Sequence, residues 1–232
     1  MRQFLSISKQ NAADAEFETL DLICRNTKLT VRNFDELLDA LEIFHGQQLP
    51  SWPTDPYLFL VWWHCGYPAS DASCAKGWES LNNEIGVDPD RLLSVNFSKL
   101  ALALKSGGMM AELRAMRVKE IAERIQKEFG GDLRTALKRT SVTQARSVIK
   151  KFPSMGDPGS DRMLLFGGIS PIAAVPSNCP HVLVRIQIGR EPENYRKTYS
   201  EAQRILQAYV PATFEARKRA SMPSTLGEKP PN

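Results

Sequence analysis

The stretch from Val148 to Phe166, VIKKFPSMGDPGSDRMLLF, constrains this chain more than any other. Apolar residues flank a short run of Pro, Gly and Ser, with Lys150 and Lys151 just before it, and the pattern reads as two short helices meeting at a tight turn. Asp157 is expected to cap the second helix, because a carboxylate there accepts hydrogen bonds from backbone N–H groups that lack partners. Pro158 then fits the first helical position, where its missing N–H costs nothing. Such a turn aims Gly156 and the following N–H groups outward at a helix N-terminus, a geometry suited to a phosphate. A plain connection between helices is the alternative, and the rest of the chain weighs on the choice.

At 232 residues the chain is long enough for a sizeable core, as one large domain or two intertwined helical lobes. No run of about 18 apolar residues suggests a membrane span, and the opening MRQFLSISKQNAADAEFE turns acidic too soon for a secretory signal. An intracellular protein, in the cytoplasm or nucleoid or in a nucleus, is expected, with no membrane partner. Cys24, Cys65, Cys74 and Cys179 form no CxxC pair, and His45, His64 and His181 are equally dispersed. Buried reduced thiols are the reading, with no metal and no cofactor. The net charge of +4 conceals an asymmetry: residues 1–98 carry 7 Lys/Arg against 14 Asp/Glu, net −7, and residues 99–232 carry 23 against 12, net +11. Basic charge concentrated where the hairpin lies is what a polyanion-binding face needs; solvated helix faces are the other account of it.

Along the chain, Asn33 and Glu36 resemble a capping box, followed by a helix near 34–46 with Phe34, Leu37, Leu38, Leu41 and Ile43 on one stripe. GQQLPSWPTDP is a loop. Asp55 and Pro56 open the next helix, and YLFLVWWHCG, apolar on nearly every side, reads as a buried central helix. Trp62 and Trp63 there are core residues rather than base-stacking ones. Further helices restart near Ser70 and at DPDRLLSV and FSKLALALKS. GGMMAELRAM reads as the loop before a basic helix, Arg117 to Phe129, with Lys119, Arg124 and Lys127 facing solvent. GGDLRTALKRT is a short helix, and Ser141 or Thr143 caps the first helix of the hairpin. HVLVRIQIG alternates like a strand but reads as a helix in this context. ENYRKTYSEAQRILQAYV is amphipathic, with Tyr195, Tyr199, Ala202, Ile205 and Leu206 sharing a face. The Pro-rich tail from Ser221 is expected to be disordered. No strand alternates with helices and no GxxxxGK[ST] loop occurs, so the class is all-α.

The order of these elements resembles the endonuclease III branch of the helix-hairpin-helix DNA glycosylase superfamily. The family's hairpin, approximately L-P-G-[VI]-G-x-K-T-A, is matched by Phe152, Pro153, Ser154, Met155, Gly156, Asp157, Pro158, Gly159 and Ser160. Its V-D-T-H or V-D-S-N segment and the V-L-x-R that follows are matched by Val175, Pro176, Ser177 and Asn178, then Val182, Leu183 and Arg185. CGYPASD falls where the family has S-A-Q-x-T-D, with Pro68 at the wedge position. The resemblance spans roughly residues 55–210. It implies a two-lobed helical fold: an N-terminal segment, 1–50, packing with the C-terminal lobe; a helical barrel, 55–175, including the hairpin at 141–166; C-terminal helices, 176–220; and the tail, 221–232.

The family's chemistry is hydrolysis of an N-glycosidic bond on a base taken out of the stack, with backbone grips on phosphate positioning the duplex. The resemblance therefore implies a base-excision-repair type protein that binds damaged or distorted double-stranded DNA. The candidate gripping residues are Lys150, Lys151, Ser154, Met155, Gly156, Gly159 and Ser160. Both catalytic positions differ. The lysine that forms a Schiff base in bifunctional members is replaced by Pro158, so lyase chemistry of that type is not expected. The aspartate is replaced by Pro176, leaving Ser177 and Asn178 as neutral dipoles, a weak substitute for a carboxylate beside an oxocarbenium-like centre. Asp157 and Asp161 read as a cap and a helix-surface charge. The chain has no cysteine after Cys179, so the iron–sulfur cluster of many relatives is not expected. Arg217, Lys218 and Arg219 are either a phosphate contact or a solubilising patch. Three functions remain open: monofunctional base hydrolysis, non-catalytic DNA binding, and a helical protein-interaction module.

Overall fold

The computed structural model describes residues 31–177, 180–188 and 194–222. Among them are twelve α-helices and no strand: α1 Val31–His45, α2 Pro56–His64, α3 Asp71–Glu84, α4 Pro89–Ser94, α5 Phe97–Leu104, α6 Ala111–Phe129, α7 Leu133–Lys138, α8 Val142–Ile149, α9 Asp157–Phe166, α10 Pro180–Ile188, α11 Tyr195–Tyr209 and α12 Phe214–Ala220. The all-α class is thus observed. The chain divides into two compact units, one of residues 50–170 and one made from both ends, 1–49 with 171–232.

The 50–170 unit is built around α2. Asp55 accepts hydrogen bonds from Tyr57 N and Leu58 N at 3.0 and 3.1 Å, and Pro56 takes the first turn, as the sequence indicates. Leu60, Val61 and Trp62 are fully buried and Trp63 nearly so, which makes both tryptophans core residues. Burying side chains of this size supplies a large part of the unit's cohesion, since each large apolar side chain taken out of water contributes about 1.5–3 kcal/mol. Ser70, Asp88, Asn96 and Asp132 cap α3, α4, α5 and α7 through side-chain oxygens. Beyond α2, Gly107 lies so close to the end of that helix that a Cβ there would sit 1.7 Å from the Cys65 carbonyl oxygen.

Several expectations about this unit need correction. The basic helix begins at Ala111, six residues before Arg117, behind Met110 in the left-handed region at φ 62° with no side-chain cap. Two of its cations are engaged rather than free in solvent. Lys119 Nζ donates to the Leu93 and Val95 carbonyls, both at 2.8 Å, closing the C-terminus of α4. Arg124 belongs to the hairpin and is described below. Lys127 is exposed and pairs with Glu123 one turn away.

In the other unit, Phe34 and Leu38 of α1 pack with Ala173 and Val175, with Leu183 and Val184 of α10, and with Tyr199, Ala202, Ile205 and Leu206 of α11. The alternating segment at 180–188 is helical, because its apolar residues find a helical partner face rather than a sheet. Helix α1 starts before Asn33, which is therefore an internal residue and not a cap. Ile43 is 73% exposed and lies off the packed face, whereas Tyr195, 51% exposed, stacks its ring on that of Tyr199 with 6.2 Å between centroids at the edge of the shared face. Two of the three cations at 217–219 are engaged by groups of this unit. Arg217 is buried and donates to the Pro211 and Gln207 carbonyls, while Arg219 pairs with Glu42 at 2.8 Å and Asp39 at 2.5 Å. Ser221 and Met222 are buried, so the ordered chain extends past the point where the tail was expected to begin. Residues 223–232 lie outside the described residues.

Candidate nucleic-acid interface

The hairpin begins with a capping box. Ser141 Oγ accepts from Gln144 N, and the Gln144 side chain accepts from Ser141 N at 3.1 Å, fixing the entry to α8. Helix α8 closes at Lys150, and a turn over 151–154 leads to α9. Phe152 anchors the turn: it is 2% exposed, its ring centroid lies 6.1 Å from that of Phe129, and the Arg124 guanidinium stacks 4.3 Å from its ring centroid. Arg124 Nη1 also donates to the Lys151 carbonyl at 2.8 Å, while its Nε and Nη2 engage Glu128. On the inner side of the turn, His64 Nε2 lies 2.8 Å from the Pro153 carbonyl. Ser154, at φ 53°, adopts the left-handed conformation that turns the backbone into α9.

The start of α9 differs from expectation. Gly156, with no side-chain capping bond, is the N-cap, and Asp157 and Pro158 are the first two helical residues. Asp157 does not cap; its carboxylate accepts from Lys150 Nζ at 2.7 Å. Asp161 is not a surface charge either. It is fully buried and held by Arg146, whose Nε lies 2.7 Å and Nη2 2.5 Å from Oδ1. This pair crosses between the hairpin's two helices and fixes their separation.

The predicted gripping residues fall into two sets. Lys150, Lys151, Ser154 and Gly156 are exposed along the turn. Met155, Gly159 and Ser160 are buried, backbone included, and the Ser160 N–H already donates to the Gly156 carbonyl at 3.0 Å, so none of the three faces outward. Gly159 leaves room for packing, since a Cβ there would come 3.1 Å from Met155 Cε and 3.6 Å from the Trp63 ring. The Ser160 hydroxyl donates to the Gly156 carbonyl at 2.8 Å, tightening the first turn of α9. Pro176 and Ser177 lie in the other unit, where the Ser177 carbonyl accepts from Tyr195 Oη at 3.1 Å. Asn178 and the Arg185 side chain lie outside the described residues.

The sequence does not show that His64 and Arg124 meet the turn, and it reads Arg124 as facing solvent. The available signal was an imidazole inside the otherwise apolar run YLFLVWWHC, where a buried polar ring must have partners. Elsewhere, Arg162 makes two hydrogen bonds to Asp71 and lies 3.5 Å over the Trp52 ring, locking α9 to α3. The Tyr67–Pro68 peptide is cis. Cys65 and Cys74 are buried free thiols; burial pushes both up, Cys74 to about 12, which keeps them protonated and unreactive.

No family model and no curated protein matches the sequence. Solved structures do. A non-covalent endonuclease III–DNA complex superposes with a TM-score of 0.64 at 16% identity, covering 85% of each chain. A trapped endonuclease III–DNA covalent intermediate gives 0.63 at 16% identity, again over 85% of each. The 3-methyladenine DNA glycosylase MagIII of H. pylori, bound to 1,N6-ethenoadenine, gives 0.55 at 17% identity, over 77% of this chain and 83% of that one. The element order, the capped hairpin and these superpositions together establish that the chain has the all-α fold of the helix-hairpin-helix DNA glycosylases.

Proposed function

We propose that this protein binds duplex DNA, damaged or distorted, by seating phosphate oxygens on the hairpin turn, as a glycosylase-like protein without Schiff-base lyase chemistry. The observation that carries the reading is the turn itself: exposed Lys150 and Lys151, Ser154 in the left-handed conformation, and a Gly156 N-cap with no side chain over the helix end. Backbone N–H groups at an uncovered helix N-terminus favour an anion, and phosphate contacts of this kind position a duplex without reading its sequence.

Monofunctional hydrolysis of an N-glycosidic bond is the enzymatic form of this reading, and binding alone is the other. Pro158 offers no nucleophile and Pro176 no carboxylate. Asp157 is engaged by Lys150, and Asp161 is buried against Arg146. Those engagements favour binding without excision.

The test is titration of the full chain with duplexes containing abasic sites or mismatches over a series of salt concentrations. Affinity is expected to fall log-linearly with salt, with a slope near 0.9 per phosphate contacted. Absence of salt-sensitive binding even at low ionic strength would sink the proposal in favour of a protein-interaction role. Base release from lesion-bearing duplexes, revealed as heat- or alkali-labile sites, separates the enzymatic form from the binding one.

A further inference from the structure

We infer that His64, on α2, is the positioning residue of the hairpin: its ring fixes the Pro153–Ser154 peptide so that the Ser154 N–H points out of the unit as a donor to a phosphate oxygen. This rests on the reading of the hairpin given above and assigns that turn a residue from a different helix.

His64 is 2% exposed, with Nδ1 2.8 Å from the Leu60 carbonyl and Nε2 2.8 Å from the Pro153 carbonyl. The Leu60 carbonyl sits one turn back on the same helix, where the α-helical pattern already supplies it with a backbone N–H. The Pro153 carbonyl has no other hydrogen-bond donor among the described residues. The Pro153 carbonyl is partly buried, and the tautomer carrying its proton on Nε2 gives it a donor while leaving Nδ1 unprotonated beside the Leu60 carbonyl.

Peptide geometry carries the consequence across the bond. The Pro153–Ser154 peptide is trans, the one cis bond among the described residues being Tyr67–Pro68. In a trans peptide the C=O and N–H point in opposite directions. A carbonyl pulled inward onto a buried ring therefore sends the Ser154 N–H outward. Ser154 is exposed, and no acceptor among the described residues takes that N–H. On the other flank, Arg124 holds the Lys151 carbonyl at 2.8 Å. With the Pro153 carbonyl drawn onto the buried His64 ring and the Lys151 carbonyl held at the surface by Arg124, the outer face presents a donor beside Lys150 and Lys151.

The test uses the full chain in four forms: wild type, His64→Gln, His64→Asn and His64→Phe. A glutamine places its amide nitrogen where Nε2 stood, whereas asparagine reaches only as far as Nδ1 and phenylalanine donates nothing. Two readouts are taken on each: the salt slope of abasic-duplex binding, and the movement of the Ser154 amide resonance on addition of inorganic phosphate. The Asn and Phe variants are expected to bind about five- to ten-fold more weakly, with a slope smaller by about 0.9, one phosphate, and with the Ser154 response lost. His64→Gln is expected to rescue both. Folded Asn and Phe variants, judged by circular dichroism, that keep the wild-type slope and Ser154 response would overturn the inference, as would a wild-type Ser154 amide that ignores phosphate. If wild type fails to bind duplexes but its Ser154 amide moves with phosphate and that of the Asn variant does not, the DNA reading falls and the role of His64 stands.

Discussion

His64 also ties the hairpin to pH. Burial, the largest cause, pushes its pKa down from 6.5 to about 4; the Leu60 and Pro153 carbonyls pull it up, and Arg117 adds to the downward push. The unfolded chain takes up a proton near pH 6.5 and the native chain only near 4, so between those values the unfolded state holds more protons and stability falls as pH drops. The loss is complete below about pH 4 and corresponds to roughly 3 kcal/mol. Denaturant midpoints measured from pH 7 to 4 should show this decline, and His64→Gln should flatten it. The second residue-scale prediction concerns Asp161. Arg146→Met removes the cation beside a fully buried carboxylate and is expected to cost about 2–3 kcal/mol, toward the low end for a buried pair because Arg146 is a third exposed. The sequence could not reveal this pair, because a charge fifteen residues away reads as a partner only once the hairpin has closed. Ser154 is the converse case: its left-handed backbone is cheaper for glycine, so Ser154→Gly should raise stability by roughly 1 kcal/mol, read as a higher urea midpoint.

Among the elements, several helices that open on a polar cap are legible in the sequence, whereas α6, which has none, is not correctly placed by it. Asp55, Ser70, Asp88 and Ser141 each announce a helix start through a side chain that accepts backbone hydrogen bonds, and each does so in the structure. Helix α6 starts instead behind Met110, whose left-handed backbone leaves no compositional mark, so the sequence places its first six residues in the preceding loop. The same cause displaced Asp157, since the cap of α9 is Gly156, a residue with no side chain to advertise the role. The 180–188 segment was legible as a helix only from its neighbours, its alternation alone pointing to a strand. Ser141→Ala removes one half of the capping box and should cost about 1 kcal/mol. Gly107→Ala should cost at least about 3 kcal/mol, because the new methyl carbon would overlap the Cys65 carbonyl oxygen and two backbone segments would have to part. Thermal melts of the two variants should rank them in that order.

For the whole molecule, fold and chemistry parted company in how far they could be read. The all-α architecture was legible because caps, apolar periodicity and the ordered motifs all pointed the same way. The basic excess of residues 99–232 was a poorer guide, since Lys119, Arg146, Arg217 and Arg219 are bound to carbonyls or carboxylates of their own chain. On the proposed reading the cations offered to DNA are those at the turn, and one of them, Lys150, is held by Asp157. Asp157→Asn removes that carboxylate and releases the amine, so one more positive charge becomes available to phosphate. Binding to an abasic duplex at low salt should strengthen roughly five-fold, and the salt slope should steepen by about 0.9. The same variant probes the chemistry. An amine must be unpaired and deprotonated to attack a sugar aldehyde, and Pro158 leaves no amine at the position where the family carries one. Borohydride should therefore trap no covalent complex with wild type on an abasic duplex, and none with Asp157→Asn despite its tighter grip. A trapped complex formed by the variant alone would identify Lys150 as a latent nucleophile held in check by Asp157; one formed by wild type would mean that the chain has placed a reactive amine elsewhere.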